Sequence, residues 1–241
     1  MNEIACRDWN HFEELLAAFF RRVPRDRDMY MFRGHADARW RLQSTLDRLL
    51  PVLRESDSEA VERELVEQFV KSALPSLAEI YDMDDTAKRV IARHHGLPSS
   101  LIDFTMSPFV AAFFACHDAI HDSASAPERI AIWALNRASI PADLGLDDFK
   151  IFEGADAIRF NPRAVAQQAI SFRVLRSELG IDSFFPGKAT TKFTIPTTEL
   201  GTIMSRLSYM NVTHTQIYGG LDGAAAYATW RVRTIHSKDP L

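Results

Sequence analysis

The chain has 241 residues, of which 46% are hydrophobic and 25% are charged, a balance typical of a folded globular protein rather than a disordered one. The formal net charge of −4 and the pI of about 6.1 exclude a strongly basic surface that would bind nucleic acid or anionic membranes without specificity. Two cysteines, Cys6 and Cys116, are too few for a disulfide framework and lack the CxxC spacing of a zinc site. We therefore expect one folded domain and no metal.

Sequence signals for membranes and for several common enzyme classes are missing. No apolar run reaches the length of a membrane span, and no basic segment followed by an apolar run opens the chain. We expect a cytoplasmic protein that does not contact membranes. The motifs GxxxxGK[ST], GxGxxG, GxSxG and HExxH do not occur, which argues against common nucleotide-binding, hydrolase and metalloprotease classes.

The first part of the chain predicts three helices and a short strand. Asn10 caps a predicted helix whose apolar residues recur at helical spacing from Phe12 to Phe20. Residues 29–32 predict a buried strand that ends at Arg33. A helix is predicted over 58–74, and another over 86–94 with Asp85 as its cap.

The second part predicts a core helix and then a mixture of elements. Residues 101–104 predict a strand, and Ser107-Pro108 has the pattern of an N-cap followed by proline at the first helical position. The helix that follows, residues 109–116, is apolar on most sides and belongs in the core. Further patterns predict strands at 129–135, 156–160 and 164–175, and helices at 198–210 and 221–230. Because helices and strands do not alternate regularly, we expect the α+β class.

Arg33 is the first candidate site residue, because it stands where a predicted strand opens into a loop. Its guanidinium offers a planar fork of donors that fits phosphate or carboxylate, and Gly34 has no side chain to keep a ligand from the backbone. The alternative is structural, with Arg33 paired to an internal carboxylate such as Asp103. The residue pattern leaves both interpretations open.

Thr105 and Ser107 form the second candidate, just before the buried helix. Free N–H groups and the positive end of the helix dipole favour an anion there. A simple N-cap is the alternative role of Ser107. His94 and His95 also offer imidazoles to a ligand, but adjacent helical residues point about a quarter-turn apart and do not easily bind one metal.

These segments together resemble the FRG domain family. Residues 32–37 (FRGHAD) with Trp40 are similar to its (F/Y)RG motif, and residues 94–108 (HHGLPSSLIDFTMSP) with 111–115 (AAFFA) are similar to its pattern QHxGLPTRLLDWTxSPLxALYFA. The family's later Arg and Gln correspond to Arg163 and to Gln167 or Gln168, and its Leu-Asp-Gly to residues 221–223. The resemblance implies a single FRG-type domain over 1–241, with residues 1–28 as a helical extension and 29–230 as the core.

Four positions depart from this pattern, one of them being Ala169, where the family has a glycine after the Gln. Arg93 replaces the family's usual Gln, Ser100 stands where the family has Arg, and Phe104 stands where it has Trp. The cation missing at position 100 either leaves Asp103 unpaired or gives it Arg33 or Arg93 as its partner.

The order of motifs is also similar, more weakly, to the ADP-ribosyltransferase fold, in which an Arg and a Ser-Thr-Ser segment hold NAD. This resemblance implies a small mixed or antiparallel split sheet flanked by helices. It implies NAD contacts at Arg33, Gly34, His95, Thr105 and Ser107, and catalytic roles for Arg33, Asp103 and Gln168. The third motif of that fold is usually a Glu, whereas this chain offers Gln167 or Gln168, with Glu178 a little beyond.

Three functions follow from these resemblances and residues. The first is an NAD-binding ADP-ribosyltransferase-like toxin or phage defence effector that modifies a protein or nucleic acid, with an antitoxin or immunity partner. The second is a module that binds NAD, another nucleotide or a phosphate without chemistry. The third is a nuclease that uses His94 or His95 with Asp103.

Overall fold

The computed structural model describes residues 2–22, 30–53, 57–121, 127–137, 149–152, 163–174 and 190–236. These residues form strands β1 (Asn2–Ala5), β2 (Tyr30–His35), β3 (Leu101–Thr105), β4 (Arg129–Asn136), β5 (Phe149–Phe152), β6 (Ala169–Val174) and β7 (Thr190–Pro196). The helices are α1 (Trp9–Arg22), α2 (Thr45–Leu53), α3 (Ser58–Ala73), α4 (Asp85–His94), α5 (Pro108–His121), α6 (Arg163–Ala166), α7 (Leu200–Tyr209), α8 (His214–Tyr218) and α9 (Gly220–His236). Short 3-10 helices span Ala78–Asp82 and Thr197–Glu199. None of these helices is long and apolar enough to cross a membrane.

The strands form one sheet in the order β1-β7-β4-β2-β3-β6-β5. β1 and β7 run parallel, and the other neighbours run antiparallel. This mixture of sheet and helices confirms the α+β class, although seven strands make a larger sheet than the small one expected. Strand β2 pairs with β4 along its whole length but with β3 only at Phe32 and Thr105, so the sheet opens between β2 and β3.

Apolar residues from alternate positions of the central strands enter two core clusters. Phe32, Ile132 and Phe193 join the larger cluster, which contains residues of α1, α5 and α7. Met31 and Trp133, from the neighbouring positions, join the smaller cluster. Successive side chains of a strand point to opposite faces, so both faces of the sheet are covered near its centre.

The N-terminal residues belong to this core. β1 adds a strand to the edge of the sheet beside β7, and Trp9, Phe12 and Leu16 of α1 are buried in the larger cluster. The segment expected as a helical extension therefore contains a strand and contributes to the main core. Its apolar stripe predicted a packed helix, but the short edge strand carries no distinctive pattern.

Several predicted elements are displaced or divided. The carboxylate of Asp8, not the side chain of Asn10, accepts a hydrogen bond from the N–H of His11 at the start of α1, and Asp84 rather than Asp85 caps α4. The strand predicted at 164–175 is divided into α6 and β6 by a turn at Gln167 and Gln168. Helix α2 was not predicted, and the strand predicted at 156–160 lies outside the described residues.

Candidate functional site

Arg33 lies at the opening between β2 and β3. Beyond the pair Phe32 and Thr105, the opposite residues are Arg33 with Phe104 and then Gly34 with Asp103, and neither of these is a ladder pair. Instead, Nη1 of Arg33 donates to the backbone carbonyl of Asp103 at 2.5 Å, and Nε of Arg33 lies 3.0 Å from Nε2 of His35. The Arg33 side chain thus connects two strands that have separated.

The guanidinium of Arg33 lies deep in the protein but still has contact with solvent. Its pKa is lowered to about 10, mainly by burial; the charge of Asp103 opposes this shift, and the charges of Arg93 and Arg48 add to it. Arg33 remains a cation at neutral pH, since this value is well above 7. Within the described residues it forms no ion pair with a carboxylate, and only two of its five N–H groups have an acceptor. The other three can bind an anionic ligand.

The carboxylate of Asp103 forms an ion pair with the guanidinium of Arg93. Nε of Arg93 lies 3.1 and 3.0 Å from the two carboxylate oxygens, and Nη2 also donates to Oδ2. Of the two partners that the sequence left open, Arg93 therefore forms the ion pair, while Arg33 contacts only the Asp103 backbone. A carboxylate held this way by a guanidinium is a poor proton acceptor, so its placement gives little support to Asp103 as a general base.

A buried carboxylate holds the loop that leads into β3. Glu62 of α3 is fully buried and accepts hydrogen bonds from the hydroxyls of Ser99 and Ser100 at 3.0 and 2.8 Å and from the Ser100 N–H at 2.7 Å. Arg89 lies 3.5 Å from the same carboxylate. Ser100 therefore anchors the loop to α3, and Arg93 provides the cation beside Asp103.

Gly34 is packed against a helix. A Cβ added to Gly34 would lie 1.9 Å from the backbone oxygen of Ala111 and 2.8 Å from the backbone nitrogen of Ala115, both in α5. The space above this glycine is occupied by α5, so the expectation that a ligand approaches there is corrected. The glycine permits the strand and helix to pack closely.

The two hydroxyls before α5 make mainly internal contacts. Thr105 donates to the Gln167 carbonyl at 2.7 Å and accepts from the Ser107 N–H at 3.1 Å. Oγ of Ser107 accepts from the Val110 N–H at 3.3 Å, as an N-cap does. Thr105 therefore has no hydroxyl hydrogen left for a ligand, whereas that of Ser107 has no acceptor among the described residues.

The structure separates the roles of Gln167 and Gln168. Nε2 of Gln167 donates to the Ile217 carbonyl of α8 at 3.2 Å. Gln168 has a positive φ of 47°, its carbonyl accepts from the Met106 N–H at 3.0 Å, and its side chain is exposed. Gln168 is thus held two strands from Arg33, roughly 10 Å across the sheet, with its amide facing solvent.

The remaining predicted site residue lies at the end of α4. His95 is exposed, and its ring is stacked on Phe69 of α3 with centroids 6.3 Å apart. No contact in the described part of the chain connects the His95 ring with the Arg33 side chain. The side chains of His94 and Arg163 and all of Glu178 lie outside the described residues.

Three residues around Arg33 were not predicted as site residues. His35 was detectable, because it stands two positions after Arg33 and residues at that spacing share one face of a strand. The charges of Arg93 and Arg48 were not detectable as neighbours of Arg33, since both depend on how separate helices pack. Together, these groups form a positive site at the opening of the sheet, with Asp103 as the acidic residue next to it.

One family of known proteins matches the segment of the chain that contains Arg33. The model of the FRG domain family matches residues 28–124, which include β2, β3, α5 and the side chains of Arg33, Arg93 and Asp103. Gln168 and the Leu-Asp-Gly of residues 221–223 lie outside the match. No curated protein and no solved structure matches the chain.

Proposed function

We propose that this chain, whose residues 28–124 match the FRG domain, binds NAD at Arg33 and transfers ADP-ribose to a protein or nucleic acid. In this reaction the bond between C1′ of the ribose and the nicotinamide nitrogen breaks and nicotinamide leaves. C1′ then bonds to a nucleophile of the acceptor, whose proton passes to solvent. The similarity of motif order to the ADP-ribosyltransferase fold supports this reaction.

The observation that carries the proposal is the unpaired cation of Arg33. A guanidinium that stays charged despite its burial is stabilised by an anion, and Asp103, the acid whose charge acts most strongly on Arg33, is engaged by Arg93. The three remaining N–H groups of Arg33 match the paired oxygens of a phosphate group. The pyrophosphate of NAD provides such oxygens.

A module that binds a nucleotide without chemistry is the second candidate, and the side chains on β3 and before β6 favour it. Asp103 is paired with Arg93, and Gln167 and Gln168 are amides, which do not stabilise developing positive charge as a carboxylate does. Glu178, the remaining candidate for the third motif, lies outside the described residues. The nuclease alternative receives less support, because its two catalytic candidates have other contacts. The His95 ring is stacked on Phe69, and the Asp103 carboxylate forms an ion pair with Arg93.

A toxin or phage defence role, with an antitoxin or immunity partner, is part of the proposal through the resemblance alone. The FRG domain occurs widely in bacteria and phages, and modification of a cellular protein or nucleic acid suits such a role. Expression of the wild-type chain and of Arg33→Ala in a bacterial host tests it. Toxicity that requires Arg33 supports the role, and equal growth of both strains contradicts it.

The first prediction concerns NAD. Incubated with NAD and a bacterial lysate, the purified protein should release nicotinamide and raise the mass of an acceptor by one ADP-ribose. Arg33→Ala should weaken NAD binding about 10- to 100-fold, the loss expected for charged hydrogen bonds. Calorimetry measures the binding, and mass spectrometry follows the acceptor.

Arg63→Ala is the matched control, because Arg63 is an exposed arginine on α3. Binding of NAD that is equally strong in wild type and Arg33→Ala would contradict the proposal. Binding that depends on Arg33 but produces no nicotinamide would favour the binding module instead.

A further inference from the structure

The imidazole of His35 is enclosed between two donors. Nε2 lies 3.0 Å from Nε of Arg33, and Nδ1 lies 3.2 Å from Nε1 of Trp133. His35 is only 6% exposed, and Trp133 is 1% exposed. Neither contact was expected from the sequence.

The protonation state of His35 decides what it does for Arg33. Burial, and next the charge of Arg33, lower the pKa of His35 well below its usual value of 6.5, although a hydrogen bond with the Trp40 backbone opposes them. His35 is therefore neutral at physiological pH and has one ring nitrogen with a lone pair. The contact with the charged Arg33 is shorter and stronger than the contact with neutral Trp133, so we assign Nε2 as the acceptor. Nδ1 then carries the ring hydrogen, and its contact with Trp133 is not a hydrogen bond.

This contact restricts how Arg33 can bind a ligand. A guanidinium holds an oxyanion either along its side, through Nε and Nη2, or at its end, through Nη1 and Nη2. His35 occupies Nε, and the Asp103 carbonyl takes one hydrogen of Nη1. Among the described residues, one hydrogen on Nη1 and two on Nη2 are left, and binding along the side is blocked because it needs the Nε hydrogen.

We infer that His35 is a positioning residue, which fixes the guanidinium of Arg33 so that its Nη1 and Nη2 atoms, rather than Nε, hold two oxygens of a phosphate or pyrophosphate group. The inference rests on the proposed function, because that function is what places a phosphate or pyrophosphate at Arg33. The position of the guanidinium itself is a property of the free protein and is measurable without any ligand.

Two amide substitutions separate this role from a general effect on packing. In His35→Gln the side-chain oxygen reaches the place of Nε2 and accepts from Arg33. In His35→Asn the same amide is one methylene shorter, lies near the place of Nδ1 and does not reach Arg33. Trp133→Phe is the control, because it removes only the donor on the other side of the ring.

The first measurement is exchange of the arginine Nε–H groups with water, followed by NMR of the free protein with Arg33→Lys used to assign the Arg33 signal. Exchange at Arg33 should be slow in wild type, His35→Gln and Trp133→Phe, and at least about tenfold faster in His35→Asn, because the hydrogen bond is lost. Equally slow exchange in His35→Asn would overturn the inference.

The second measurement is NAD affinity. His35→Asn should weaken binding about tenfold although Arg33 is still present, and His35→Gln should restore most of the loss. Wild-type affinity in His35→Asn would sink the positioning role while leaving NAD binding intact. If the wild type does not bind NAD, the proposed function fails, and the exchange measurement still decides whether His35 positions Arg33.

Discussion

At the scale of single residues, the site depends on which charge pairs with which. Arg93 engages Asp103 through both carboxylate oxygens, and among the described residues this leaves Arg33 with only a backbone carbonyl and an imidazole as acceptors. In the family pattern a Gln stands at position 93 and an Arg at position 100. In this chain the arginine at 93 provides the cation for Asp103, while Ser100 binds Glu62. The cation next to Asp103 is therefore at position 93 in this chain.

This arrangement predicts the effect of removing Arg93. In Arg93→Gln the Asp103 carboxylate loses its ion pair with Arg93 and attracts Arg33, whose charge it already stabilises. NAD affinity should fall about tenfold, since Arg33 then has fewer free donors. The double variant Arg93→Gln/Asp103→Asn has no carboxylate to attract Arg33 and should return to within about threefold of the wild type. Calorimetry of the four proteins measures this coupling, and a double variant as weak as Arg93→Gln would show instead that Arg93 contacts the ligand.

At the scale of elements, the site is held by the packing of α5 on β2. Gly34 lies against the backbone of α5, Ser107 caps the helix, and Thr105 joins the end of β3 to the turn before β6. Phe113 of α5 and Phe32 of β2 belong to the same core cluster. Arg33, next to Gly34, therefore extends from a strand whose position is fixed by a buried helix.

Gly34→Ala should destabilise the protein by about 3 kcal/mol, because a methyl group at this position would overlap the α5 backbone, which cannot move as a flexible side chain does. Gly96→Ala is the comparison: φ is +88° at Gly96 and no atom lies within 4 Å of an added Cβ, so only about 1 kcal/mol of backbone strain is expected. Urea denaturation gives both values. An equal loss in the two variants would mean that α5 adjusts to the methyl group.

At the scale of the whole molecule, stability should depend on pH through His35. Its pKa in the folded protein is well below 6.5, the value expected for the unfolded chain. Below pH 6.5 the unfolded chain therefore binds a proton that the folded protein does not, and the free energy of unfolding falls as the pH falls. The contribution of His35 to this loss approaches about 1.4 kcal/mol per pH unit until the folded pKa is reached.

The measurement is urea denaturation of the wild type and His35→Gln from pH 7.5 to pH 5. The difference in unfolding free energy between the two proteins should change in favour of the variant as the pH falls, because glutamine does not titrate. A difference that stays constant across this range would contradict the neutral state assigned to His35.

The sequence by itself determined the local features of this protein. The strand that ends at Arg33, the cap at Ser107, the buried helix after it and the α+β class all follow from residues close together in the chain, where periodicity and capping are read directly. The sequence indicated that something approaches Gly34 closely, but it did not indicate that this neighbour is helix α5. A glycine shows only that space is needed at that position.

Only the tertiary structure decided which distant residues meet. The ion pair of Arg93 and Asp103, the enclosure of His35 by Trp133 and the bond from Gln167 to α8 join residues from different elements. Their contacts depend on strand order, register and helix packing, which similar apolar patterns can satisfy in several ways. The cost of burying charge then selects among the partners that the fold brings together, and in the described part of the chain that selection gives Arg33 no ion pair with a carboxylate.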